Sequence, residues 1–502
     1  MLTPVYRIPP EILARIFACC VDLQHRVCEY WPIYRDFHEW LNFTHVCHHW
    51  REIAVDTAIL WTSISLEMSD ACVEEMILRS KTADLSFHFD RKYKTRYATS
   101  RQIELLTLSM PRVHTLNFKS DSLYGDDVVP EELLASPAPR MHALTLQLSE
   151  YGSVPLTSAF LGNEAPLLRH LSLTGCYPAS WPSTLYDNLL SLEITANPWR
   201  YVPQNYNDMV NAIRRMPALQ KLTLSKCLPP LALATSPPQH SVSLEHLRSC
   251  TLDGPFLDII HFLSHFHLCS EVVLRWLHLK LAMDAVSTQD TLRGLSTLLS
   301  YFKSTVEIPL HMLYICQVYG YTREADKGFI INGKGDGGGS ITDVGMAFLW
   351  RTHEQPPQLE VLSALVKSIA LESVKLLDLS VDAGSSHPIV DEAMLCTILQ
   401  RGALIGEIHT AGQAGTTLVC ALSSLENTEP GQCVPLLRRL TFHCADIRGD
   451  TADVLRAWLG SRYSTGRPLA FIDFQYNDGV PSDLLDLSPS TEMYQRESSY
   501  GY

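Results

Sequence analysis

Apolar and polar positions follow a helical period over residues 8–55. From Ile8 the chain reads IPPEILARIFACC. Pro9 and Pro10 suit the first turn of a helix, where a missing N–H costs nothing, and Glu11 favours its positive end. Ile12, Leu13, Ile16, Phe17 and Cys20 then occupy an arc of roughly 140°, wider than the stripe one neighbouring helix covers. A second helix is predicted from about Phe43 to Val55. It carries Phe43, Val46, Cys47, Trp50, Ile53 and Ala54 on one arc, with His48, His49, Arg51 and Glu52 largely outside it. With the stretch from Trp31 to Trp40 between them, the two helices make a module of about 50 residues, near the size at which a domain struggles to bury enough surface alone. Leftover apolar surface on such a module predicts a protein interface.

Beyond residue 80 the pattern changes to a short recurring phrase: an apolar residue, two others, then two apolar residues separated by one. It occurs as Val113-Leu116-Phe118, Met141-Leu144-Leu146, Leu168-Leu171-Leu173, Leu189-Leu192-Ile194, Leu219-Leu222-Leu224, Leu247-Cys250-Leu252 and Leu274-Leu277-Leu279. Further copies stand at Val374-Leu377-Leu379, Leu437-Leu440-Phe442 and Leu469-Ile472-Phe474. From Val113 to Leu274 successive copies recur about every 20–30 residues, and a repeat of that length built on L-x-x-L-x-L is the mark of leucine-rich repeats, each pairing a strand with a helix or irregular return. Intervening segments fit helices: Met209, Val210, Ile213 and Met216, or Phe256, Ile259, Ile260, Leu263 and Phe266, recur at three- and four-residue steps. One repeat cannot bury its own apolar face, so copies stack without a single centre. The expected fold is therefore α+β or α/β: a small helical bundle followed by an irregular solenoid, a horseshoe of stacked repeats. Its concave face would carry the outward residues Thr115, Asn117, Thr145, Gln147, Ser172, Thr174, Thr223 and Ser225, whose neutral polar character points to a protein target.

The repeat weakens between Ala282 and Pro357, where an irregular insertion is expected around a flexible Gly-rich loop, Gly333 to Ser340. A phosphate-binding loop needs G-x-x-x-x-G-K-[ST], and here Gly335 follows the Lys. The tail from 481 to 502 is expected to be disordered and open to modification. The expected organisation is thus a helical module at 1–58, a connecting segment with the first irregular repeats at 59–110, repeats at 111–281, the insertion at 282–357, repeats at 358–480 and the tail.

Ile8-Pro9-Pro10-Glu11-Ile12-Leu13, then Ile16-Phe17, then Val46-Cys47-His48-His49-Trp50-Arg51-Glu52-Ile53-Ala54 resembles the F-box, whose motif runs L-P-x-E-I-L, I-F, V-C-x-x-W-R-x-I-A. The chain is most similar to F-box-like proteins abundant in mushroom-forming fungi, in which a leucine-tryptophan segment follows, here Leu60-Trp61-Thr62-Ser63-Ile64-Ser65-Leu66. It departs from the pattern in Ile8, where Leu is usual, and in a longer aromatic-rich connection from Glu29 to Trp40. The resemblance implies docking on a Skp-type adaptor and through it a cullin scaffold. By matching positions that role falls to Ile8, Pro9, Ile12, Leu13, Ile16, Phe17, Val46 and Trp50.

Composition narrows the partners. Lys and Arg total 40 against 54 Asp and Glu, and the net charge of −14 opposes attraction to a phosphate backbone, so no nucleic acid is expected. No stretch approaches a bilayer-spanning length and the N-terminus lacks a secretory pattern, so we expect no membrane association and a cytoplasmic or nuclear location. The 14 cysteines contain no C-x-x-C pair, and His48 and His49 point about 100° apart on a helix, so no metal is expected. No catalytic motif is present, and we expect neither an enzyme nor a cofactor. The expected function is substrate recognition in a Skp–cullin–F-box (SCF) ubiquitin ligase, with an unknown protein target. The alternative is a leucine-rich-repeat scaffold without a ligase role, in which the segment 1–58 serves only as an end cap.

Overall fold

The structure, a computed structural model, describes residues 8–30, 39–90, 98–120, 131–148, 154–196, 205–230, 242–267, 275–283, 286–305, 310–318, 327–337, 340–350, 358–381, 390–428, 433–475 and 492–496. The chain forms two compact units, residues 1–229 with 233–235, and residues 230–232 with 236–502.

The first unit opens with helices α1 (Pro10–Tyr30), α2 (Phe43–Val46) and α3 (His48–Asp56). The single helix expected over 43–55 is broken, because Cys47 is extended at φ −160° and ψ 170°. With the chain redirected there, two aromatic rings pack on Phe17: Phe43 stacks on it at 4.8 Å and Trp50 tilts against it at 5.1 Å. Trp61 closes the module, its indole N–H donating to the Ala54 carbonyl at 2.9 Å and its ring set edge-on to Trp40 at 5.0 Å. Leu13, Phe17, Ala54 and Leu60 are each at most 1% exposed and form its core. Of the connection between the helices, residues 31–38 lie outside the described residues.

Sheet begins immediately afterwards. β1 (Ser63–Ser65), α4 (Asp70–Arg79), β2 (Leu85–Asp90) and α5 (Ser100–Ser109) lead to β3 (Val113–Lys119). Then come α6 (Glu131–Leu134), β4 (Ala143–Gln147), β5 (Val154–Pro155), β6 (His170–Thr174), β7 (Cys176–Tyr177), β8 (Ser191–Thr195), α7 (Tyr206–Arg214) and β9 (Lys221–Ser225). Strands β1, β2, β3, β4, β6, β8 and β9 pair side by side in that order, all parallel, while β5 and β7 form a separate parallel pair. Among the described residues the segment 59–110 is thus strand and helix rather than an irregular connection, residues 91–97 lying outside them. Its helix α5 is fixed by a capping box, Thr99 Oγ1 accepting from the Gln102 N–H and Gln102 Oε1 from the Thr99 N–H, both at 3.1 Å.

Register explains the repeat. Phe87, Leu116, Leu144, Leu171, Leu192 and Leu222 are successive cross-strand partners, and each is at most 2% exposed. Each such side chain contributes about 1.5–3 kcal/mol by burial, provided its neighbour in the column is present. The alternation along each strand then sends the intervening residues to the opposite, half-exposed face.

The second unit contains β10 (Val242–Ser243), β11 (Ser249–Pro255), α8 (Phe256–Leu263), β12 (Phe266–His267), β13 (Trp276–Ala282) and α9 (Thr288–Thr305). β14 (Leu310–Val318), β15 (Lys327–Gly337), β16 (Ser340–Trp350), α10 (Gln358–Ser368), β17 (Leu376–Val381) and α11 (Glu392–Arg401) follow. It ends with β18 (Glu407–Ala411), α12 (Gln413–Thr428), β19 (Arg439–His443), α13 (Asp450–Ser464), β20 (Phe471–Gln475) and β21 (Glu492–Arg496). Both helices anticipated from apolar spacing form, as α7 and α8. The main sheet runs β11, β13, β16, β15, β14, β17, β18, β19, β20, β21, and of these pairings only β16–β15 and β15–β14 are antiparallel.

Two expectations are corrected here. The segment 282–357 is no irregular insertion: it supplies α9 and three strands that carry the sheet from β13 to β17. Gly333, Gly335 and Gly337 lie in β15, residues 338–339 being outside the described residues; Gly333 pairs with both Leu313 and Val344, and a Cβ on it would come within 2.7 Å of Leu310 Cδ1. Gly333 thus gives room for close packing rather than flexibility. The tail, expected to be disordered, contributes β21, which covers the edge of β20; residues 481–491 and 497–502 lie outside the described residues.

A polar device recurs beside the apolar one. Arg112 donates to the Ala83 carbonyl at 2.8 Å and Arg215 to the Trp181 and Ser183 carbonyls at 3.1 and 3.2 Å. Arg401 donates to Val366, Lys367 and Ile369 at 2.8, 3.0 and 2.6 Å. Arg462 donates to the carbonyls of Leu437, Cys433 and Val434, and to that of Arg467. Apart from the bond to Arg467, five residues ahead, each guanidinium reaches back about one repeat to satisfy carbonyls that no ladder or helix uses.

Burial also sets a pH response. His265, between α8 and β12, is 7% exposed and meets His261 edge-on at 4.5 Å. Burial, followed by the neighbouring His261, pushes its pKa down from 6.5 to about 4. The native state holds it neutral while the unfolded chain takes up a proton, so its contribution is complete above pH 6.5 and is lost as pH falls from there toward 4. Thermal melts across that window are expected to show falling stability, and His265→Phe to flatten the slope; an unchanged slope would refute this assignment.

Candidate docking surfaces

Helix α1 carries two apolar rows. Leu13, Phe17 and Val21 recur every four residues and are 1%, 1% and 6% exposed. One position earlier, about 100° around the helix, Ile12 and Ile16 are 47% and 44% exposed. The wide arc read from the sequence thus splits into a row that builds the module and a row that faces solvent. Pro9 is exposed beside the second row, and its carbonyl accepts from the N–H groups of Ile12 and Leu13 at 3.0 and 3.1 Å, which fixes the first turn. Val46, three residues on from the Phe43 that stacks on Phe17, is 58% exposed. Ile8 and Trp50 are half-buried, and the buried Trp50 Nε1 has no hydrogen-bond acceptor among the described residues.

Of the eight residues assigned to an adaptor contact, then, Leu13 and Phe17 are core. Packing two neighbouring helices on Phe17 takes it and Leu13 out of reach of any second molecule. Pro9, Ile12, Ile16 and Val46 are exposed, and among the described residues no charged side chain of the module is paired across them: the ion pair His48–Glu52, at 3.4 Å, lies on α3.

On the sheet of the first unit, the expected recognition residues come together in rows. Asn117, Thr145, Ser172, Glu193 and Thr223 are successive cross-strand partners, as are Lys119, Gln147, Thr174, Thr195 and Ser225. Thr115 pairs with Ala143 in a third row that runs through His170 and Ser191 to Lys221. All eight predicted positions are half-exposed. Sequence reading missed Glu193 and Lys221, which form an ion pair at 2.8 Å within this field. It also missed a histidine stack at one end of the strands, His114 on His142 at 5.1 Å and His142 against His170 at 5.4 Å. Burial, then the two flanking histidines, lowers the His142 pKa. The signal was present, since these histidines stand one to a repeat, each next to the start of a strand phrase.

The second unit carries a more acidic face, half-exposed at Asp378, His409 and Thr441 and closed at Asp473. Asp378, His409, Thr441 and Asp473 are successive cross-strand partners, and His409 Nε2 lies 2.9 Å from Glu407 Oε1 and His409 Nδ1 4.0 Å from Asp378 Oδ2. Gln475 Nε2 donates to Asp473 Oδ2 at 2.6 Å. Among the described residues no group of three or more His, Cys, Asp or Glu is placed to hold a metal ion, and no helix is long and apolar enough to cross a membrane.

Residues 5–67 match the F-box-like family model, and the chain has an F-box-like domain there. The matched region spans α1 to α3 and runs on through Trp61 into β1. A search of curated proteins finds no match to the chain.

Proposed function

We propose that the protein is the target-recognition subunit of a Skp–cullin–F-box ubiquitin ligase, acting without catalytic residues of its own in the cytoplasm or nucleus. The observation that carries this reading is the division of α1 into a sealed row and an open row, inside a region that matches the F-box-like family model. Ile12 and Ile16, with Pro9 and Val46, form the adaptor contact. The regularly spaced parallel strands and their returns make a leucine-rich-repeat array, and its half-exposed polar rows receive a protein target. Such rows, with few charges, suit a protein surface better than a phosphate backbone. Co-expression of the full chain with a Skp-type adaptor is the test: a complex that stays together on size exclusion supports the reading, and separate elution of two folded proteins overturns it.

A second reading, a repeat scaffold without a ligase, draws on the direct passage from Trp61 into β1. In that case residues 1–58 act as a cap for the first strand. Deletion of residues 1–58 distinguishes the two. Capping predicts insoluble repeats, since Trp61 would lose its Ala54 acceptor and Trp40; docking predicts folded repeats that no longer elute with the adaptor.

A further inference from the structure

The sheet of the second unit is covered unevenly. From β17 to β20 one helix connects each strand to the next. From β13 to β17, however, the order β13, β16, β15, β14, β17 places five strands under only two connecting helices among the described residues, α9 and α10. Strands are about 4.8 Å apart and packed helices about 8–10 Å, so inserting two hairpin strands without helices of their own thins the cover. A cavity of about 380 Å³ lies there. Its floor is Leu313, Ile331, Val344 and Met346, from three neighbouring strands, and Leu299 of α9 and Ile369 just past α10 wall it. Gly333 lies in the floor, and any side chain there would strike Leu310.

Such a volume falls at the lower end of the range of small-molecule pockets, roughly 300–1,000 Å³. An apolar cavity forfeits contacts in proportion to its size, so an apolar occupant restores them. The mouth has its own chemistry. Arg401 lines it, yet its guanidinium is taken up by three carbonyls and by Glu372 at 3.3 Å. Lys367, also in the lining, is exposed, and its ammonium has no ion-pair partner among the described residues. An unpaired cation carried by a residue that lines an aliphatic well is complementary to a monoanion with an aliphatic tail.

We propose that this cavity binds a small single-chain carboxylate, its tail against Leu313, Val344 and Met346 and its head group on Lys367. Titration calorimetry of the full-length protein with decanoate, and with 1-decanol for comparison, tests it. One saturable decanoate site per chain is expected, with a rise in melting temperature. Lys367→Glu, an exposed change, should weaken decanoate at least tenfold and leave 1-decanol unaltered. Met346→Trp should abolish both by filling the well, and Val344→Phe serves the same purpose if that variant does not fold. Absence of saturable decanoate binding, or undiminished binding by a folded cavity-filling variant, overturns the site; equal decanoate affinity in Lys367→Glu overturns the head-group assignment.

Discussion

Leu13→Asp is expected to unfold the N-terminal module, whereas Ile12→Asp, one residue away, is expected to leave it folded and remove its partner. Leu13 is 1% exposed, so the substitution both deletes apolar packing and places an ionised carboxylate where water cannot reach it. The combined cost is at least about 4 kcal/mol, more than a module of this size holds in reserve. Helical circular dichroism and protease resistance of residues 1–67 should both fall. Ile12 is 47% exposed, and a surface change there alters stability by no more than about 0.5 kcal/mol. Buried against an adaptor, the same Asp would lose at least about 2 kcal/mol of binding, roughly a 30-fold weaker complex. Unchanged adaptor affinity in the folded Ile12→Asp protein would remove the contact from α1. A test of docking through Leu13 would instead report folding.

The second large effect is expected at Arg462. This side chain is 3% exposed, stacks over Trp458 at 5.2 Å, and donates to Leu437 and Arg467 carbonyls at 3.1 Å and to Cys433 and Val434 carbonyls at 3.4 Å. Burial pushes its pKa down, while the carbonyls that accept from it favour the charged form. Arg462→Met fills much of the same space while removing the guanidinium donor from the Leu437, Arg467 and Cys433 carbonyls, the Val434 carbonyl keeping the Leu437 N–H at 3.1 Å, at a cost of about 2–4 kcal/mol. The melting transition of the second unit should fall by several degrees, about 2–4 °C per kcal/mol for a unit of this size. Lys in the same place is expected to rescue little, since one ammonium cannot reproduce the planar fork that spans four acceptors. A melting temperature within about 1 °C of the parent, on the same scale, would show that water satisfies the carbonyls instead.

Local patterns along the chain made much of this protein legible. All ten copies of the apolar phrase end inside strands, from Leu116 and Phe118 in β3 to Ile472 and Phe474 in β20, because period-2 alternation is a property of neighbours along the chain. The strand β18 went unread because Thr410 occupies the last apolar slot of its phrase; it is 3% exposed and donates to the Thr441 carbonyl at 3.3 Å. The same limit applied at α1: the sequence showed an arc too wide for one neighbour, but not which half of it α2 and α3 would cover.

The chain alone therefore determined the wide apolar arc of α1, the strand phrases and their regular recurrence, since each depends on residues a few positions apart or on a simple period. Only the folded molecule decided that Leu13 and Phe17 are core while Ile12 and Ile16 stay open, that β15 runs antiparallel to the strands on either side of it, and that four arginines reach back across a repeat. Those outcomes depend on which distant side chain or carbonyl fills a given space, and no local spacing encodes that.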